Sequence, residues 1–463
     1  MRLRVRYNNC GRRPRDLLPN RDPTGGSIVL REGCFRSEPP LGKLSMIRSM
    51  LLTLSLCVIC SIAVAEDKTP FRAGAASAVV NPPVGSYIAG DAQDRKFTGV
   101  HDDLFAKAVI VHDGQSAVAF VVVDCLGLLS HTIQQIQHEA AKRAKLPGLT
   151  AERIIVASTH CHNGPDIVGL WGPDLQTSGV DPEYMDRLID TAARQVQRAA
   201  ASLVPATLHT AQIQSKVDWV LNECEPGELD RTLTVLKLQS KDGTCIATIT
   251  NFACHPTILD GVHNVVSADW VGGLYRGMSE KLDGEHLFFQ GAVGGWVQPV
   301  KGNRSFELAD RYGREIAAES QSALEQATTA ANPRIEFAST TISIPVQNEG
   351  WKQLAQIGVL PVKIGDSVET VVAAVRVGDL GIATHPGETA PEHSRITREM
   401  LGTPKSMVIG LGLDALGYIS KPDYFVHPEK YPHAEYLNMT SVGPEAAPRM
   451  LEGLRVVTSK VAP

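Results

Sequence analysis

The stretch Ile154-Ile155-Val156-Ala157-Ser158-Thr159-His160-Cys161-His162-Asn163-Gly164-Pro165 sets two imidazoles at alternate positions, beyond an apolar run and ahead of an Asn-Gly-Pro turn signal. On an extended segment, residues two apart share a face. His160 and His162 can therefore point into one cavity while Cys161 points away. Such a pair suits a metal ion, and equally suits two strand-end histidines satisfied by hydrogen bonds. Two later stretches repeat the setting. His255, fixed by Pro256, follows the apolar run 246–252, and Glu388 follows the run ending at Thr384-His385-Pro386-Gly387. A histidine bonded to backbone and an acid favoured by a helix N-terminus are the ordinary readings of His255 and Glu388. Yet two His and one carboxylate with an open position form a catalytic zinc set, in which the metal lowers the pKa of bound water to about 7.

The elements that must position these groups alternate between strand and helix. Strands are expected at 106–112 and 117–123, joined by the hairpin turn Asp113-Gly114, and at 233–238, 246–252, 287–290, 335–345, 369–376 and 408–413. Helices are expected at 132–144, 182–202, 306–326 and 445–454. This is an α/β pattern, a large mixed-sheet domain whose strand C-terminal ends repeatedly carry polar residues. Ligands bind at those ends in open α/β sheets. Asp124, closing the strand 117–123, reads either as a site residue or as a helix cap. The glycine-rich loop Gly291-Ala292-Val293-Gly294-Gly295 has neither the dinucleotide nor the P-loop spacing, and is expected to let backbone approach a ligand at Gly291, Gly294 and Gly295. No cofactor-binding motif is present besides the metal set.

The whole chain, 463 residues with 43% hydrophobic and 21% charged, has ample material for a large core. Residues 1–65 hold 11 Lys and Arg against 4 acids, leaving 34 against 46 for the rest and a net charge of −12 there. So acidic a body argues against nucleic acid as a partner. Residues 1–45 show no hydrophobic periodicity and read as a mis-assigned or disordered extension. Met46 opens a secretory signal peptide, with Arg48, the apolar run Leu51–Ile62 and the cleavage signal Ala63-Val64-Ala65. The mature part, 66–463, is thus expected to be secreted or periplasmic, with no transmembrane span. It keeps five cysteines and no CxxC, so no disulfide framework or zinc ribbon is indicated.

At this point the chain resembles the neutral/alkaline non-lysosomal ceramidase family, over roughly residues 70 to 445. Ser158–Pro165 is similar to the family's Gly-Thr-His-Thr-His-Ser-Gly-Pro, Phe252–Thr257 to its Phe-Ala-Val-His-Pro-Thr, and Pro386-Gly387-Glu388 to its Pro-Gly-Glu. Gly417-Tyr418-Ile419-Ser420 and Val442-Gly443-Pro444 resemble its tyrosine motif and the Gly-Pro that follows. The resemblance implies zinc held by His160, His255, Glu388 and Tyr418, with His162 beside the metal as a proton-transfer or substrate-binding group. Gly99-Val100-His101 matches the family's Gly-Ile-His and adds His101 as a further site candidate.

Three departures bear on the reaction. The family's Gly-Asp-Val-Ser-Pro, whose serine is implicated in amide hydrolysis, corresponds to Gly291–Gly295, which holds no serine. Its Asn-Arg-Ser-Pro falls near Lys216–Trp219, where there is no arginine. The chain also ends at Pro463, too soon for the family's C-terminal immunoglobulin-like domain. The leading expectation is a secreted zinc-dependent hydrolase of a linear amide, N-acylsphingosine or a related N-acyl lipid or small molecule, with His162 or Tyr418 serving the intermediate. The alternative is a degenerate relative that keeps a metal or ligand and has lost catalysis. Membrane-surface binding is disfavoured by the acidic body.

Overall fold

The computed structural model describes residues 70–463; the extension 1–45 and the signal sequence Met46–Ala65 lie outside the described residues. A nine-stranded sheet runs in the order Glu285–Gln290, Cys245–Phe252, Thr232–Ser240, Val204–Gln214, Arg72–Val79, Phe105–His112, Ala117–Val123, Ile154–Ser158, with Thr328–Ala330 beside Val204–Gln214. Most neighbours are antiparallel. At both ends the outermost pair is parallel: Ile154–Ser158 on Ala117–Val123, and Glu285–Gln290 on Cys245–Phe252.

A second sheet, in the order Ile335–Pro345, Ser367–Val377, Leu380–Thr384, Lys405–Ile409, stacks on the first. The two-residue period of Ser367–Val377 shows how. Val371, Ala373, Val375 and Val377 face the core shared with the large sheet, whereas Val372 and Ala374 face a second core under the helix Ala446–Val461. Helices Ser130–Ala144, Pro182–Ala201 and Phe306–Leu324 cover the other face of the large sheet. The result is a mixed α/β domain of four layers, helix, sheet, sheet, helix. With both faces covered, Ala117–Val123 and Ile154–Ser158 are buried along their whole length, which explains their unbroken Val/Ile/Ala runs.

Two expectations need correction. The strand read at 408–413 ends at Ile409. Leu411 and Leu413 adopt φ of 50° and 70° because 410–413 is a turn that bonds both outer strands of the large sheet. Gly410 N donates to the Gln290 carbonyl at 2.9 Å and Leu413 N to that of Val156 at 2.9 Å. The central strand Val204–Gln214 was missed because its Thr, His and Gln positions blunt the apolar signal. Among the described residues no helix is long and apolar enough to cross a membrane, and the five cysteines 125, 161, 224, 245 and 254 are buried and free.

Candidate metal centre

Strand ends converge where the turn 410–413 draws the two edges together. Gln290, fully buried at the end of its strand, is the clasp. Its side-chain nitrogen donates to the carbonyls of Thr159 (3.2 Å) and Cys254 (2.9 Å), and its side-chain oxygen accepts from Cys254 N (3.1 Å) and Gly291 N (3.1 Å). One side chain thus holds the residues immediately before His160 and His255. His160 itself takes a left-handed φ of 67°, so the His-x-His pair is not the extended segment expected. The two rings still meet, with Nε2 atoms 3.3 Å apart, while the Cys161 thiol turns away to the Ser267 carbonyl at 3.0 Å. A non-glycine residue in this conformation persists only where its surroundings over-determine it.

Glu388 enters from a short strand, Glu388–Thr389, paired in parallel with Tyr418–Ile419, so Glu388 lies directly opposite Tyr418. Gly294 sits against this strand. Its amide donates to the Thr389 carbonyl at 2.8 Å, and a Cβ there would lie 2.6 Å from the Glu388 carbonyl oxygen and 2.5 Å from the Thr389 carbonyl carbon. No side chain fits at Gly294 without moving Glu388. Gly291 is close on Ala253, where a Cβ would lie 2.8 Å from the alanine Cβ, and Gly295 turns at φ 81°. The loop glycines therefore pack strand ends together.

Glu388 Oε2 lies 3.1 Å from His255 Nε2 and 3.3 Å from His160 Nε2. Nδ1 of His160 faces the Leu126 carbonyl at 2.7 Å, and Nδ1 of His255 the Val297 carbonyl at 2.6 Å. A carbonyl oxygen only accepts, so both rings carry a proton on Nδ1 and turn Nε2 inward to Glu388. Burial opposes charge on Glu388, but His160 and His255 outweigh it and hold the carboxyl well below its usual range. Burial pushes His255 down to about 4 and leaves it neutral. Two imidazole nitrogens and a carboxylate oxygen thus face one another, with His162 Nε2 3.3 Å from that of His160; burial opposes charge on His160, but Glu388 outweighs it and raises its pKa. A divalent cation of zinc's preferences fits this set. Tyr418, directly opposite Glu388, is buried; burial and that carboxylate hold its pKa well above normal.

His162 is the third histidine of the cluster, all three offering nitrogens within 4.8 Å of one another. Its Nδ1 lies 3.3 Å from Asp260 Oδ2. Burial would raise the Asp260 pKa, but the His162 ring, helped by Lys301 and Arg95, holds it low. Sequence reading missed Asp260; an Asp-Gly turn five residues past His255 was its only signal. Trp296, also missed, stacks on Tyr436 at 5.3 Å, and Tyr436 stands 6.4 Å from Tyr418, forming an aromatic wall beside the site.

His101 lies elsewhere: 41% exposed, stacked on Phe306 at 3.7 Å, with Asp102 3.6 Å from its Nδ1. Asp124 is neither in the cluster nor a helix cap. It accepts from Phe105 N and the Tyr275 hydroxyl, and burial raises its pKa to about 6. In the Lys216–Trp219 segment the Trp219 indole donates to Glu315 at 2.7 Å and stacks on Tyr312, tying it to the helix Phe306–Leu324.

Solved structures share this architecture. The chain matches neutral ceramidase from Pseudomonas aeruginosa with a TM-score of 0.67 at 16% identity, covering 86% of this chain and 76% of that one. It matches a ceramidase complexed with C2 with a TM-score of 0.69 at 15% identity, covering 84% and 75%. These likenesses define the class as the neutral-ceramidase fold. The family model for the neutral/alkaline non-lysosomal ceramidase N-terminal region matches residues 71–356, and the chain belongs to that family.

Proposed function

We propose that this chain is a metal-dependent hydrolase of linear amides, acting on a ceramide or related N-acyl lipid. The observation that carries this reading is the convergence of His160 Nε2, His255 Nε2 and Glu388 Oε2 within 3.1–3.3 Å contacts, in a member of a ceramidase family. His160, His255 and Glu388 would hold the metal, with Tyr418 completing the set. Zinc is the ion proposed. When bound it polarises the scissile carbonyl and lowers the pKa of water to about 7.

The protein's own groups supply the rest. The Tyr418 hydroxyl, kept protonated by burial and Glu388, is a donor for oxyanion charge or for the leaving amine. His162, 3.3 Å from His160, is proposed to take or return a proton. The Trp296–Tyr436 wall offers apolar surface to an acyl or sphingoid chain. The space closed at Gly294 argues against a side-chain nucleophile on that loop and favours attack by water. His101 is proposed to act outside the first contacts of the reaction, and secretion through Met46–Ala65 suits a lipid substrate met outside the cell.

The test is a hydrolysis screen of the purified chain over ceramides and simpler N-acyl amides, before and after chelation. Turnover that is lost with chelator and restored by zinc is the expected result. Stoichiometric metal without turnover on any amide would replace this reading with the catalytically degenerate one.

A further inference from the structure

His385 stands three residues before Glu388 and is fully buried, with a threonine hydroxyl against each ring nitrogen. Nδ1 lies 2.7 Å from Thr389 Oγ1, and Nε2 lies 2.9 Å from Thr397 Oγ1 on the helix Pro391–Leu401. The Thr397 hydroxyl donates its one proton to the His393 carbonyl at 2.8 Å, so toward the ring it can only accept. Nε2 therefore carries the ring proton, and Nδ1 accepts from the Thr389 hydroxyl. Burial, reinforced by His393 and Arg398, pushes the His385 pKa down to about 3 and keeps the ring neutral, as this chain of donors requires. The backbone of the same residue grips the turn 410–413: its amide donates to the Ile409 carbonyl at 2.8 Å, and its carbonyl accepts from Gly412 N at 2.9 Å.

Thr389 follows Glu388 in a strand of two residues, and successive side chains of a strand point to opposite faces. Glu388 reaches forward to His160 and His255, while Thr389 reaches back to His385. So short a strand has few bonds of its own to stop it rolling: the Glu388 amide donates to the Gly417 carbonyl at 2.9 Å, and the Thr389 carbonyl accepts from Gly294 N at 2.8 Å. We propose that His385 is a positioning residue that tethers the strand Glu388–Thr389 through the Thr389 hydroxyl and so sets the Glu388 carboxylate against His160 and His255. The tether belongs to the fold itself; only its consequence for a bound ion rests on the metal-centre reading above.

The test compares wild type with His385→Ala, with Thr389→Val, which exchanges the hydroxyl for a methyl group, and with His385→Asn, whose side-chain oxygen can stand in for Nδ1 as acceptor, all as full-length chains. Two quantities are read: amide hydrogen exchange at Glu388 and Gly294, set against the central strand Val204–Gln214, and the zinc dissociation constant from competition with a chromophoric chelator. His385→Ala and Thr389→Val are expected to speed exchange at Glu388 and Gly294 about tenfold beyond any change in the central strand. Both are expected to weaken zinc binding by about fivefold to tenfold, the scale of one buried hydrogen bond. His385→Asn should recover most of both effects. Equal acceleration in the two regions would mark a bond that serves global stability alone and would overturn the inference. Unchanged exchange at Glu388 in Thr389→Val, or unchanged affinity in a chain that binds zinc, would overturn it as well. A wild type that binds no zinc yet shows the local exchange pattern would keep the tether and lose the metal-centre reading.

Discussion

His160 and His255 each turn Nδ1 to a backbone carbonyl that can only accept, and this outer contact orients Nε2 toward Glu388. Leu126 and Val297 play that part for His160 and His255. Gln290 acts one step further out, and its removal tests whether the strand ends need a clasp. Gln290→Ala leaves the buried Cys254 amide and the Thr159 and Cys254 carbonyls each short of a partner. Orphaned buried groups cost about 1–3 kcal/mol each, so a loss of about 3–5 kcal/mol in urea unfolding is expected. A loss under about 1 kcal/mol would show that the ends hold themselves. His160, His255 and Glu388 were legible because each ends an apolar run beside Pro or Gly. Gln290 was not, because the carbonyls it clasps, Thr159 and Cys254, lie 131 and 36 residues away in sequence.

At the scale of elements, the loop Gly291–Gly295 and the turn 410–413 do the positioning. Gly294→Ser restores a hydroxyl where the resembled family has one, but its Cβ would collide with backbone of the strand that carries Glu388. The variant is expected to lose about 2–4 kcal/mol of stability and to bind zinc more weakly, without any gain in turnover. Full stability with raised activity would contradict the packing described. Asp414 anchors the same turn, accepting from Ser130 N and Ala415 N at 2.9 Å, and burial raises its pKa to about 6. A carboxyl whose pKa is raised by folding contributes stability when protonated and loses it as pH climbs from about 4 through about 6. Asp414→Asn should therefore become more stable than wild type above that window, by roughly 1–3 kcal/mol, with no advantage near pH 4. Melting curves across pH 4–8 check this; a constant offset would contradict it. The hairpin at Asp113-Gly114 was legible from its turn residues alone. The turn at 410–413 was not, since Leu411 and Leu413 read as strand and take left-handed φ only because they reach both edges of the large sheet.

For the whole molecule, two sheets and their helices bring residues from 160 to 418 together, so the proposed metal binding would be coupled to folding. The proposed ligands are scattered along the chain and are brought together only by folding; an ion that binds the native state alone stabilises it by about 2.7 kcal/mol at one hundred times its dissociation constant. The melting temperature is expected to rise with added zinc and to fall back with chelator. The α/β class was legible in the alternation of elements. The stacking of a second sheet was not, because a strand such as Ser367–Val377, apolar on both faces, does not say what covers it.

The most direct measurement of the central claim is metal content set beside amide turnover in one preparation, wild type against Glu388→Gln. About one zinc per chain in wild type, with ceramide or N-acyl amide hydrolysis that disappears along with the metal in Glu388→Gln, is what this account predicts. A wild-type chain that hydrolyses amides at full rate without any bound metal would contradict it.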